Sequence, residues 1–249
     1  MAFARLSSAD AVAWLRQKTR TSSSPADQQG EWTDASIVAD LNAAIREIAT
    51  RMMATPWLHH FLVEEPGVTT AGGSLIVGAS LSPAQAAAAV KVAFVRIASS
   101  GLFVPRMGTN RLIYTATYGA RQESGSPIGN QLFYVPIGFG HTAEPPDSRT
   151  RLLFFGNSGE ITVNVFFYAM PAVLAAAPSG SDFIGLPQIA WNSMLSYALM
   201  LMCEDDRNAE LRGWAAERFS NELPAMLMAA PADYDMPDGL LGPAEVETR

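Results

Sequence analysis

Hydrophobic periodicity changes twice along this chain, and the order of the changes restricts the folds that it can adopt. Apolar residues recur in steps of three and four from Ile37 to Met52, the spacing of one buried helix face. Short segments rich in β-branched and aromatic residues follow from Phe61 to Tyr168. Helical spacing then returns after Pro171. Because the first helix must bury its apolar stripe, it has to pack on helices that are distant in the sequence.

This order predicts an α+β fold with a helical bundle core, formed by an N-terminal helix and two C-terminal helices, and a large inserted antiparallel β domain. The helical domain is expected at 33–58 and 183–230, and the β-rich insertion at 59–182. Residues 1–32 are expected to form an extension with a short helix, Ser8 to Arg20, and a flexible linker that moves or docks on a neighbour. An extended acidic tail is expected at 231–249.

Local signals set the expected ends of the main helices. Asp34 is predicted to cap the first one, and Thr55-Pro56 to end it. Leu186-Pro187 is predicted to begin the next, since proline is tolerated in a first helical turn. The last helix is expected to start near Arg207 and to end or kink at Pro224.

The β-rich region divides into short predicted strands separated by turn residues. They are Phe61–Val63, Ser74–Leu81, Val90–Ile97, Leu112–Tyr118, Gln131–Val135, Arg151–Phe155 and Glu160–Tyr168. Asn157-Ser158-Gly159 is typical of a tight hairpin turn between the last two strands. The last strand alternates, which predicts one buried face containing Val163, Val165 and Phe167. Pro83–Ala89 is compatible with either a helical turn or a strand.

Charge excludes one class of function and favours another. The net charge is −7, whereas a protein that neutralises a nucleic-acid backbone needs an excess of Lys and Arg. Charged residues make up 16% of the chain, against roughly 25% in ordinary domains. Apolar residues reach 49%, a balance typical of a subunit that covers much of its surface with copies of itself. From Glu204 onward there are eleven acids and four arginines, so this region holds all of the net charge.

No motif for catalysis, a metal or a cofactor is recognisable. The three histidines are His59, His60 and His141, and two adjacent histidines point in different directions on a helix or a strand. Cys203 lies in an apolar helical stripe, where a thiol behaves as a small hydrophobe. The paired carboxylates Glu64-Glu65 and Asp205-Asp206 stand at element ends and are expected to be solvated. We therefore expect a protein that is not an enzyme and binds no cofactor.

Nothing in the sequence indicates export or a membrane. The start of the chain lacks the basic flank and apolar run of a secretory signal, and a single cysteine favours a reducing compartment. Phe183–Cys203 carries no formal charge but contains Pro187, Gln188 and Asn192 and has no basic anchors. A buried or interfacial helix is therefore predicted there.

Arginine outnumbers lysine fifteen to two. Coding bias in a GC-rich genome explains this ratio, and a preference for arginine at subunit interfaces explains it as well. Five arginines of the β-rich region are candidates to meet acidic groups of a neighbour: Arg106, Arg111, Arg121, Arg149 and Arg151.

The succession of blocks along the chain resembles a tailed-bacteriophage neck protein. The blocks are Ser36–Ala49, Val92–Ile97, Arg111–Tyr114, Tyr168–Pro171, Gly185–Ala198 and the helix around Trp214. Together they are similar to the head-to-tail adaptor, or connector, family of short-tailed and related phages. The resemblance covers roughly Thr33 to Met228 and consists of element order and patterned blocks. The long β-rich middle and the N-terminal segment depart from the family pattern.

The resemblance implies a structural virion protein in the neck, between capsid and tail, made in the cytoplasm of the bacterial host. It implies a homo-oligomeric ring of twelve copies that docks under the portal, closes the neck after DNA packaging and provides a platform for tail, nozzle or tail-fibre proteins. Genomic DNA would pass through the lumen without specific binding. No catalytic residue carries over.

Two sets of residues are candidates for these contacts. The ring-packing set is Ile37, Leu41, Ile45, Trp191 and Trp214. The portal-docking set is Tyr234, Met236, Leu240 and Leu241, apolar residues among acids in the Pro-rich tail. Acids of the tail are also suited to repelling DNA in a lumen.

Two alternatives remain open at the level of sequence. One is a tail or nozzle subunit of the same particle, which differs from an adaptor in its position but not in the physical properties of its sequence. The other, from a different class, is a small-molecule-binding or hydrolytic β-rich domain, which needs a pocket in the β region.

Overall fold

The computed structural model describes residues 5–19, 32–70, 74–77, 89–106, 132–137, 151–155, 160–203 and 209–229. Several predictions concern residues outside these ranges, among them the strand Leu112–Tyr118, the segment Pro83–Ala88, His141, Asp205-Asp206 and the tail with Tyr234, Met236, Leu240 and Leu241. The described residues form two compact units. The helical unit lies between residues 5 and 61 and between 170 and 229, and the β unit lies between Leu62 and Ala169. The predicted α+β class is confirmed.

Within its described residues, the helical unit has four α-helices and two short 3-10 helices. They are α1 (Ser8–Thr19), α2 (Asp34–Met53), a 3-10 helix (Pro56–Phe61), a second 3-10 helix (Gln188–Ala190), α3 (Trp191–Met202) and α4 (Ala209–Met228). The stripe predicted for α2 is buried and shares one hydrophobic core with Met194, Ala198 and Leu199 of α3. Packing between helices that are distant in sequence is thereby confirmed.

Helix α2 is capped one residue earlier than predicted. Thr33 is the N-cap, with extended backbone angles of φ −72° and ψ 161°, and its hydroxyl accepts a hydrogen bond from the Ser36 N–H at 3.2 Å. The prediction of Asp34 as the cap was wrong, because Asp34 is the first helical residue and its carboxylate is engaged elsewhere. Its Oδ1 accepts from Arg16 Nε at 3.1 Å, and a carboxylate in the first turn also interacts favourably with the helix dipole.

Helix α1 packs on the helical unit of its own chain. Ala11, Val12 and Leu15 belong to the shared core. The Ser8 hydroxyl donates to the Ser179 carbonyl at 3.1 Å and accepts from the Ser179 N–H at 2.9 Å. The short helix expected at Ser8 to Arg20 is therefore part of the helical core, because an amphipathic helix buries its apolar face. The linker that was expected to move or dock on a neighbour lies outside the described residues.

The segment that follows the β unit also belongs to the helical unit. Asn42 of α2 holds its backbone through two bonds, donating to the Leu174 carbonyl at 3.2 Å and accepting from the Leu174 N–H at 2.8 Å. Leu174 and Ile184 are core residues of this unit. The β unit therefore runs from Leu62 to Ala169, within the 59–182 expected from composition.

Three tryptophans tie the helical unit together by donating indole N–H bonds to main-chain carbonyls. Trp32 donates to Met202 at 3.0 Å and Trp57 to Met226 at 3.1 Å, near the C-terminal ends of α3 and α4. Trp191 donates to Leu186 at 3.0 Å. The last carbonyls of a helix have no partner within the helix, so the first two bonds satisfy groups that would otherwise be orphaned.

Pro224 lies inside α4, which continues to Met228. An end of the helix at Pro224 is therefore excluded. Leu223 and Met226 are buried on either side of the proline, and their packing offsets the backbone hydrogen bond that proline cannot donate. The Ala229 N–H donates to the Ala225 carbonyl at 3.0 Å, so helical bonding resumes after the proline.

Replacing Ser196 with Ala is expected to stabilise the protein by about 1 kcal/mol. Ser196 is fully buried in α3, and its hydroxyl has no hydrogen-bond partner among the described residues. The substitution removes a desolvated polar group and improves helix propensity. Urea unfolding monitored by circular dichroism measures the change. Ser36→Ala is the control, because it removes an exposed helical hydroxyl that has a partner: Ser36 donates to the Thr33 carbonyl at 2.9 Å. A loss of stability in Ser196→Ala would contradict the expectation.

The strands that the structure describes in the β unit form two antiparallel sheets. The strands are β1 (Leu62–Thr69), β2 (Ser74–Ile76), β3 (Ala89–Ile97), β4 (Phe103–Val104), β5 (Phe133–Ile137), β6 (Arg151–Phe155) and β7 (Thr162–Ala169). One sheet has the order β1-β7-β3-β4 and the other β2-β6-β5. Val95 and Val165 of the first sheet share a hydrophobic cluster with Tyr134 and Leu152 of the second.

The predicted hairpin between β6 and β7 is wrong. β6 pairs with β2 and β5, whereas β7 pairs with β1 and β3 in the other sheet. Turn-forming residues predict a reversal of the chain but do not determine which strands pair afterwards. A hairpin that the sequence did not predict joins β3 to β4 through Gly101, whose φ of +69° favours glycine.

Buried and less buried residues alternate along β7, as predicted from the sequence. Val163, Val165 and Phe167 are buried, with exposed fractions of 0%, 0% and 1%. Their neighbours Asn164 and Phe166 lie on the opposite, outer face of the sheet. This outer face carries one of the surfaces described below.

Candidate functional site

Three of the residues predicted to pack the ring lie inside the subunit. Ile37 and Leu41 are 0% exposed and Ile45 is 3% exposed, and all three belong to the core of the helical unit. A buried side chain in the core of one subunit cannot contact another copy. For these residues the structure corrects the prediction. Their helical spacing indicates that they are buried, and they are buried by other residues of the same subunit.

The two tryptophans of that set lie nearer the surface. Trp191 is half-buried against the helical core and held by its bond to Leu186. Trp214 on α4 is 41% exposed. Trp214 is therefore the member of the set whose side chain remains available to another molecule.

Trp214 belongs to a group on α1 and α4 that we call the tryptophan surface: Trp14, Lys18, Trp214 and Arg218. The Lys18 ammonium lies 5.5 Å from the Trp14 ring centroid and 5.6 Å from that of Trp214. The Arg218 guanidinium lies 5.4 Å from the Trp214 centroid and is held by Glu222 at 2.7 Å. Tryptophan and arginine are the side chains most often found as energetic anchors of protein interfaces.

A second feature of the helical unit is an open groove of about 570 Å³. It is lined by Arg5, His60, Phe183, Ile184, Gly185, Leu186, Pro187, Gln188 and Trp191. The Arg5 guanidinium lies 5.5 Å from the Phe183 ring centroid, and partial burial lowers the pKa of His60 below its usual 6.5. The lining is mainly apolar, so the groove is suited to receiving apolar side chains.

The outer face of the four-stranded sheet carries an arginine among aromatic rings. Phe94 stacks on Phe166 with centroids 4.3 Å apart, and Phe103 meets Phe94 edge-on at 5.4 Å. The Arg96 guanidinium lies 4.5 Å from the Phe103 centroid, 5.3 Å from that of Phe94 and 5.4 Å from that of Phe166. Leu102 is 65% exposed beside them. We call these five residues the Arg96 platform.

Sequence reasoning missed the Arg96 platform. Its signal was the i, i+2 spacing of Phe94 and Arg96, which places both on one face of a strand. The contribution of Phe103 and Phe166 depends on strand pairing, and pairing was not predictable. Of the arginines that were singled out, Arg106 forms a backbone bridge to Tyr134, and Arg151 lies in β6. Arg111, Arg121 and Arg149 lie outside the described residues.

Glu64 and Glu65 were both expected to be exposed to solvent, and this prediction is wrong for Glu65. Glu64 is exposed and accepts a bond from Asn164 Nδ2 at 3.1 Å, but Glu65 is 0% exposed. Successive strand residues point to opposite faces, so solvation of both was not possible once β1 packed on a core. Two carboxylates on opposite faces of a sheet are not arranged for acid–base work across a cleft.

The chemistry-bearing groups do not assemble into a reaction centre among the described residues. No group of three His, Cys, Asp or Glu side chains there could hold a metal ion. Cys203 is 1% exposed, and burial raises the pKa of its thiol.

Native Cys203 is expected to react with Ellman's reagent at least about tenfold more slowly than in the unfolded protein, because the thiolate is the reacting species and burial disfavours it. Absorbance of the released thiol at mildly alkaline pH, with and without guanidinium chloride, measures the ratio. Equal rates in the two states would contradict the buried, structural role.

None of the described helices combines the length and hydrophobicity that a membrane crossing requires.

Comparison with known protein families identifies a match that covers most of the chain. The sequence matches the SU10 adaptor protein family over residues 9–240, which is most of the chain and includes α1 through α4 and the β unit. No curated protein matches the chain. The match agrees with the resemblance identified in the sequence. The chain therefore belongs to the SU10 adaptor protein family, a phage head-to-tail adaptor family of structural proteins.

Proposed function

We propose that this protein forms a ring beneath the phage portal, closes the neck after DNA packaging and provides the platform on which tail proteins assemble. The observation that carries the proposal is the tryptophan surface. The helical unit buries its predicted stripe internally, yet leaves Trp214 exposed between two cations. A tryptophan that is 41% exposed beside an arginine matches the composition of interface anchors, and we expect a ring subunit to use it as one.

The ring wall is proposed to consist of helical units in lateral contact. A head-to-tail contact that closes on itself generates a ring, and each subunit then uses two different surfaces. The tryptophan surface is proposed as one of them. Permanent contacts of this kind bury roughly 2,000 to 5,000 Å², which also accounts for the low share of charged residues.

Native mass spectrometry of the protein with and without the portal protein of the same phage tests this proposal. We expect a closed homo-oligomer bound to portal, of twelve copies as the resemblance implies. A protein that stays monomeric with portal and tail proteins present would overturn the proposal.

The acidic tail is proposed to dock on the portal. Tyr234, Met236, Leu240 and Leu241 are apolar residues spaced among acids, a pattern suited to a segment that orders on a partner. The remaining acids and the net charge of −7 let genomic DNA pass through the ring without specific binding.

Deleting Pro231–Arg249 is expected to weaken portal binding at least about tenfold, the effect of losing roughly 1.4 kcal/mol of contact. Surface plasmon resonance with immobilised portal measures the affinity. The control is a full-length variant in which Glu245 and Glu247 are changed to Gln, which keeps the tail and its apolar residues. Undiminished binding of the deletion variant would remove the tail from the proposed function.

A further inference from the structure

The Arg96 platform is a binding surface with a definite charge preference. Its guanidinium is bracketed by three rings, and its Nε has no hydrogen-bond partner among the described residues. A guanidinium presents five N–H donors in a planar fork that matches a carboxylate. The chemistry that completes the platform is therefore a carboxylate next to apolar side chains.

The described residues of the β unit do not supply that carboxylate. Glu64 is bonded to Asn164, and Glu65 lies on the buried face of the sheet. None of the ion pairs among the described residues includes Arg96. Phe103 and Leu102, 46% and 65% exposed, leave the apolar part of the platform accessible as well.

The C-terminal tail carries a segment with the complementary chemistry. Asp233-Tyr234-Asp235-Met236 alternates acids with apolar residues, and Asp238 follows. Acids and apolar side chains therefore lie within one or two residues of each other, which is the combination that the platform requires. All of the net charge of −7 lies from Glu204 onward, so this region has no internal surplus of cations to satisfy it.

We propose that, in the free protein, the C-terminal tail of this chain docks on the Arg96 platform through Asp233–Asp238. The guanidinium pairs with an aspartate, and Tyr234 and Met236 pack beside Phe103. The inference extends the proposed function, in which the same tail docks on the portal: the portal would take over a segment that the β unit holds beforehand. The tail would then be protected from non-specific association before assembly.

Photo-crosslinking of the full-length protein tests the inference. p-Benzoylphenylalanine at position 103 is irradiated in the absence of portal, and the tryptic digest is analysed by mass spectrometry. The sequence has no Lys or Arg between Arg218 and Arg249, so the tail is recovered in one peptide, 219–249. We expect crosslinks between position 103 and this peptide. The same probe at position 173, which is 68% exposed in the helical unit, is the control for non-specific capture.

Two variants establish the charge contribution. Arg96→Gln, and separately the triple change of Asp233, Asp235 and Asp238 to Asn, are each expected to lower the crosslink yield about fivefold or more, the ratio that corresponds to one ion pair of about 1 kcal/mol. Unchanged thermal unfolding of each variant shows that the β unit is intact. If Arg96→Gln unfolds the protein, the Asn variant, which leaves the platform untouched, decides alone.

Crosslinks to peptide 219–249 that both folded variants reduce would support the inference. Crosslinks to another segment, a yield that the Asn variant does not change, or capture equal to that at position 173 would overturn it. Portal is absent from the crosslinking experiment, so a negative result there does not affect the proposed ring or its contact with the portal. Conversely, loss of portal binding in a separate assay does not affect the contact between the tail and the Arg96 platform.

Discussion

Replacing Leu41 with Ala is expected to lower the free energy of unfolding of the isolated subunit by about 3 kcal/mol. Leu41 is 0% exposed at the centre of α2, among the core residues shared with α1, α3 and α4. Truncation removes buried apolar atoms and leaves a cavity that close-packed neighbours fill only in part. Chemical denaturation at low protein concentration, where rings do not form, measures this loss directly.

Leu102→Ala is the matched control, because the same atoms are removed from a side chain that is 65% exposed. Its effect on stability is expected to stay within about 0.5 kcal/mol. The comparison also tests whether Leu41 packs inside the subunit or at a contact between subunits. If Leu41 packed between subunits, Leu41→Ala would lower the stability of the monomer only slightly, and the loss of stability would grow with protein concentration. That outcome would show that Leu41 lies at an interface.

Replacing Trp214 with Ala is expected to have the opposite profile: little effect on the subunit and a large effect on assembly. Trp214 is 41% exposed, so truncation removes mainly surface contacts and the two cation–π contacts, which at exposed sites are worth about 0.5–1 kcal/mol. If it anchors the lateral contact, each interface loses about 2 kcal/mol or more, which corresponds to roughly 30-fold weaker association. Sedimentation velocity with portal present measures the change.

Ile189→Ala provides the comparison for Trp214. Ile189 is 43% exposed in the same unit but outside the tryptophan surface, so its truncation is expected to leave assembly unchanged. Equal loss of assembly in both variants would indicate a general effect of surface truncation. Undiminished assembly of Trp214→Ala would show that the ring is built through a different surface.

Local patterns predicted the elements well because their causes are local. The spacing of Ile37, Leu41 and Ile48 predicts a helix whatever that helix packs on, and alternation around Val165 predicts a strand with one buried face. The family was also recognisable from the order of the blocks, and the match over 9–240 confirms it. The helix and strand inferences depend on residues that lie close together in the chain, and the family inference depends on the order of such blocks.

Predictions failed where two local options had similar energies or where distant segments had to meet. Thr33 and Asp34 are both good N-caps, and Asp34 became a helical residue that bonds Arg16 across to α1. The residue types at 157–159 predicted a hairpin between β6 and β7, but the two strands belong to different sheets. Pro224 is a strong helix breaker in isolation, yet tertiary packing of Leu223 and Met226 carries α4 past it.

The sequence by itself determined the succession of helices and strands, the faces that must be buried and the location of the negative charge, because periodicity and composition act on neighbouring residues. Only the tertiary structure decided which apolar residues are buried within the subunit and which remain exposed to another molecule. It placed Ile37 and Leu41 in the subunit core and left Trp214 exposed, although all three carry the same helical signal. It also brought Phe94, Phe103 and Phe166 around Arg96, which requires strand pairings whose free energy depends on contacts between segments far apart in the chain.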